Sequence, residues 1–141
     1  MGEVKTIQPD QTGDWYEAII LEHSDGIGVN NIDRDIFNET FEAFMSGAYD
    51  TAYAGFVSLG EDGSSVSQYY LGVMYLGGKG VLQDFCRAHM WFNIAASNGH
   101  EKASKQLFRL TQNMVKEQIA EAQTLARNWV NQKSNGDSLI D

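Results

Sequence analysis

The sequence predicts an all-α fold made of antiparallel helix pairs stacked side by side. Three observations carry this. Shifting the 141-residue chain against itself by 36 positions aligns Ala52 with Ala88, Phe56 with Phe92, Gly63 with Gly99 and Leu71 with Leu107. Tyr49 and Phe85, Leu59 and Ala95, and Met74 and Leu110 fall together as similar residues. The matched positions recur at intervals of three, four and seven, which is one face of a helix. A period in this range marks a unit that buries its apolar face only against neighbouring copies of itself.

Residues 1–33 fall outside the period and read as an acidic, loop-rich arm. Within it "DWYEAIILEH" offers a short helix, with Asp14 as cap and Glu17 closing a capping box. "SDGIGVNNID" reads as loop, while Trp15, Ile19 and Ile20 give the arm something to bury. Residues 34–132 form the repeat domain, with helices expected near 35–46, 50–61, 65–77, 84–98, 101–111 and 115–131. Asp84 precedes an amphipathic run and reads as an N-cap, and Asp50 takes the same role in the preceding unit. Gly63 and Gly99 each follow a helix, where a left-handed residue closes the last turn. The last helix carries Val115, Ile119, Ala122, Leu125, Ala126 and Trp129 on one stripe, with Asn113 as its expected cap. Residues 133–141 read as a flexible tail.

Composition narrows the function. Apolar residues make up 43% of the chain, enough for a globular core, and no run approaches a membrane-spanning length. The net charge of −9 is unevenly placed. Residues 1–65 hold 13 acidic side chains against Lys5 and Arg34, whereas residues 66–141 hold 8 basic against 6 acidic. Such a chain lacks the basic footprint that a phosphate backbone demands, so neither nucleic acid nor a membrane is an expected partner. The first residues show no signal-peptide pattern, and Cys86 is the only cysteine. Together these give a cytoplasmic expectation. "MGEVKT" fits the short myristoylation pattern through Gly2 and Thr6, a match common by chance.

The loop "LGGKGVLQD", residues 76–84, tests for a phosphate cradle. A Walker loop needs glycine five positions before Gly78 and a hydroxyl after Lys79; Val73 and Gly80 stand there instead. No G-x-G-x-x-G occurs either. The glycines are read as a turn between antiparallel helices, and no cofactor is expected.

With those elements placed, residues 67–99 resemble one complete Sel-1-like repeat, a relative of the tetratricopeptide repeat. The resemblance rests on Ser67, Leu71-Gly72, Tyr75, Gly78-Lys79-Gly80-Val81, Asp84, Ala88, Trp91, Ala95-Ala96 and Gly99. Residues 47–66 and 100–110 resemble partial flanking units, and "KEQIAEAQTLARNW" is similar to the closing helix of bacterial members. The resemblance implies a short right-handed α-solenoid with a C-terminal capping helix, acting as a non-enzymatic protein-binding adaptor with a concave groove.

If first helices line that groove, the residues beside the core stripe face the ligand. These are Val66, Tyr70 and Val73, and 36 positions on Lys102, Gln106 and Arg109, with Lys105 nearby. An aromatic beside cations suits a protein or peptide segment bearing a carboxylate. The acidic arm, with Trp15-Tyr16-Glu17, is a candidate occupant of the same groove. Trp91 and Tyr75 are read as core, and Gly72 as a point of close helix approach. Cys86 and His89 supply two ligands where a zinc site needs four, and they lack the third group of a catalytic triad, so neither metal nor catalysis is expected. The polar outer side of the last helix, with Lys116, Glu117, Glu121 and Arg127, favours a monomer; self-association as a structural subunit is the alternative.

Overall fold

The computed structural model describes residues 31–135, and every described element is a helix: α1 (Asn31–Ser46), α2 (Tyr49–Glu61), α3 (Ser65–Gly77), α4 (Phe85–Ser97), α5 (Glu101–Thr111) and α6 (Lys116–Asn135). The expectations for residues 1–30 and 136–141 lie outside the described residues. Two ends differ from the sequence reading. α1 begins at Asn31 rather than near 35, since no glycine or proline interrupts "NIDR" and Asp33 suits the positive end of the helix. α6 runs to Asn135 rather than 131, because the next glycine is Gly136 and Lys133 favours the negative end.

Consecutive helices pack in pairs, α1 on α2, α2 on α3, α3 on α4 and α4 on α5, while α6 packs chiefly on α4. The 36-residue register is visible in the packing. Ala52 and Ala88 are both fully buried, as are Phe56 and Phe92, and Gly63 and Gly99 both hold left-handed backbones. Gly72 lets α3 and α4 approach closely: a methyl group there would stand 2.6 Å from the Phe92 ring. Trp91 is buried, but Tyr75 is only half-buried, and its hydroxyl meets that of Tyr53 at 2.8 Å.

One expected cap holds and two are corrected. Asp84 accepts from the Arg87 N–H at 3.0 Å and starts α4. Asp50 has no such role; α2 starts from Ala48, which has no side-chain acceptor, and Asp50 lies in the first turn. The period of 36 places Ala48, not Asp50, opposite Asp84. Asn113 does not cap α6 either: its amide donates to the Arg109 carbonyl at the end of α5. At the start of α6 the Gln118 side chain accepts from the Val115 N–H, the reach-back half of a capping box.

Candidate functional site

α3 decides what the proposed groove contains. Every residue from Val66 to Gly72 is buried, and a run of seven spans about two turns, so all sides of this segment are covered. Val66 is 1% exposed and Tyr70 fully buried. Tyr70 stacks on Phe56 at 5.1 Å and meets Phe41 and Phe44 at 5.4 Å each. It is the hub where α1, α2 and α3 join. The expectation that Val66 and Tyr70 face a ligand is therefore corrected: both are core. A helix in the middle of a stack has neighbours on both sides, and the aromatic side of α1 fills the space a ligand would need. Val73 is half-buried.

The remaining groove residues lie together on α5. Lys105 and Arg109 are exposed, and Lys102 and Gln106 partly so. They form a polar edge on α5, whereas Tyr70 is buried on α3. Beside them Phe108 is 65% exposed.

The glycine loop turns a corner. Gly78 and Gly80 hold left-handed backbones, the Lys79 N–H donates to Met74 O, and the Asp84 N–H donates to Tyr75 O. These amides close α3 and start α4, so they do not point at a common anion. The Lys79 ammonium sits 5.5 Å from the centre of the Tyr49 ring, which packs under the loop. Cys86 and His89 also face different ways. The Cys86 thiol points to Gln118 O on the α6 side at 3.5 Å, and burial pushes its pKa up. His89 Nε2 donates to Thr111 Oγ1 at 3.0 Å, since the Thr111 hydroxyl itself donates to Leu107 O. Burial lowers the His89 pKa.

Two features escaped the sequence reading. The first is a buried polar clamp: Gln68 donates to Gly60 O at 2.8 Å and accepts from the Asn98 amide at 2.9 Å. It ties the C-terminal ends of α2 and α4 to α3. The second is a cleft of about 710 Å³ between the C-terminal halves of α4 and α6. Ile94, Ala126, Trp129 and Val130 supply its apolar surface, and Arg127 and Lys133 its cations. Trp129 meets Trp91 edge-on at 5.4 Å, and the Lys133 ammonium lies 5.6 Å from the Trp129 ring centre. No carboxylate occurs among its described lining residues. The signal in the sequence is the apolar stripe of α6, which continues past Trp129 to Val130.

Residues 65–100 match the family model described as Sel1 repeat. The matched span is α3, the glycine loop and α4, ending on the residue that caps α5. It coincides with the repeat read at 67–99, and the all-helical stack agrees with it. Sel1 repeats are non-enzymatic helical scaffolds that mediate protein–protein interactions. A comparison with curated proteins gives no match.

Proposed function

We propose that this Sel1-repeat chain is an adaptor that holds a segment of a partner protein in the cleft between α4 and α6. The observation that carries the reading is the lining of that cleft. A half-buried tryptophan and an exposed valine stand beside Arg127 and Lys133, with no opposing carboxylate among the described lining residues. Such a surface suits a short segment with an apolar side chain flanked by acidic groups: the apolar group covers Trp129 and Val130, and the carboxylates meet the cations in charge-assisted bonds. The concave-groove reading is thereby reduced to the α5 edge of Lys102, Lys105, Gln106 and Arg109.

Selection from a displayed library of random short peptides tests this. Peptides that bind the full chain are expected to pair an apolar residue with Asp or Glu, and to lose binding at least about tenfold to Arg127→Glu/Val130→Glu, a loss of about 1.4 kcal/mol. Both substituted residues are exposed, so circular dichroism is expected to stay unchanged. Peptides that tolerate this variant but are lost with Lys105→Glu/Arg109→Glu would move the site to the α5 edge and end the cleft reading.

A further inference from the structure

The charge of this chain is divided between its two ends, and each end presents it on a helix face that the stack leaves uncovered. On α1, Asp35, Glu39 and Glu42 are exposed at i, i+4 and i+7, flanked by the exposed apolar side chains of Ile36 and Met45. On α5, Lys102, Lys105 and Arg109 stand at i, i+3 and i+7, beside Phe108. In both stripes the first and last charges are seven positions apart, about 10 Å of helix at about 1.5 Å per residue. None of the six charged side chains takes part in an ion pair among the described residues. α1 packs on α2 and α5 on α4, so the two stripes do not meet within one molecule. The expected cap does not cover α5, because α6 packs chiefly on α4.

We propose that these two faces dock on each other between copies: the basic face of α5 in one molecule takes the acidic face of α1 in the next. The occupant is a second copy of this chain. The two charge stripes have the same length, their spacings match when the two helices run antiparallel, and each is bordered by apolar side chains that would be shielded on contact. The contact is heterologous, joining two different patches, so it leaves a free acidic face at one end and a free basic face at the other. Copies therefore add head to tail rather than stopping at a closed dimer. The contact joins two first helices of the repeat order, α5 of one copy and α1 of the next. It is independent of the α4/α6 cleft, which neither face includes.

The test is sedimentation velocity of the full chain over a concentration series, at low salt and near 0.5 M salt, where the screening length falls to roughly 4–5 Å. The wild type is expected to shift to larger, concentration-dependent species at low salt and to return to single-chain mass at high salt. Lys105→Glu/Arg109→Glu and Glu39→Lys/Glu42→Lys are each expected to stay at single-chain mass, because like faces then oppose each other. Mixing the two variants is expected to restore association, since each again offers the other an opposite charge. A wild type that keeps single-chain mass at every concentration at low salt overturns the proposal. So does association that survives either charge reversal, or a mixture that stays apart. All four residues are exposed, and unchanged circular dichroism separates a lost contact from a lost fold.

Discussion

His100 shows what a single residue contributes to this stack. Its Nδ1 accepts from the Ala103 N–H at 3.2 Å and caps α5, while its ring stacks on Tyr69 at 4.8 Å. Accepting at Nδ1 requires an unprotonated nitrogen there, so the cap exists only in the neutral ring. Burial, with a smaller push from the Lys102 charge, lowers its pKa to about 4. The unfolded chain therefore takes up this proton first, near the ordinary imidazole value of about 6.5. Stability is full above that pH and falls as pH drops toward about 4, with His89 adding in the same direction. Urea unfolding at about pH 7 and about pH 5 is expected to show this loss, and His100→Asn, which keeps a capping acceptor without titrating, is expected to reduce the slope. Equal slopes in both proteins would show that His100 does not carry the effect.

At the scale of the element, equivalent positions of the repeat do equivalent work with different chemistry. Ser64 caps α3 by accepting from the Ser67 N–H, and 36 positions on His100 does the same for α5. The second helices break the pattern: Asp84 caps α4, but Ala48 begins α2 with no side-chain bond. The connection before α2 is short, and the Ala48 N–H is held instead by Ala43 O at 2.8 Å. Asp84→Ala is expected to lower stability by about 1 kcal/mol, as loss of a helix cap does, while Asp50→Ala stays within about 0.5 kcal/mol. Thermal unfolding of both variants distinguishes the cap from the first-turn charge. The limits of the four inner helices, α2 to α5, were legible from sequence because apolar spacing and glycine act locally. The Asp50 and Asn113 assignments failed because a capping side chain is recognised by where the backbone turns, and neighbouring polar residues compete for that place.

For the whole molecule, Tyr70 is the point where the helices become one body. It joins aromatic rings of α1, α2 and α3, and Tyr69 beside it reaches Phe92 on α4 and the ring of His100. Tyr70→Ala is expected to destabilise the chain by about 3–5 kcal/mol, against a total of roughly 5–15 kcal/mol for an ordinary domain. Arg109→Glu, on an exposed edge, is expected to change stability by less than about 0.5 kcal/mol. Urea unfolding that found the two variants alike would remove Tyr70 from the core assignment. Sequence spacing placed Tyr70 beside the α3 core stripe and stopped there, since a helical period reports which residues share a face but not how many neighbours the helix has.

The helices, the 36-residue period, the glycine corner and the place of the span that matches the Sel1 repeat model were all set by sequence alone, because each depends on residues within a few turns of one another. The charge division between the halves was equally plain, being a property of composition. Which faces remain open was settled only by packing in three dimensions. Aromatics from α1 closed over α3 and removed Val66 and Tyr70 from any groove, while α6, by packing on α4, opened a cleft beside Trp129 and left the α5 face uncovered. Exposure depends on what distant segments do, and a repeat pattern read along one helix carries no record of them.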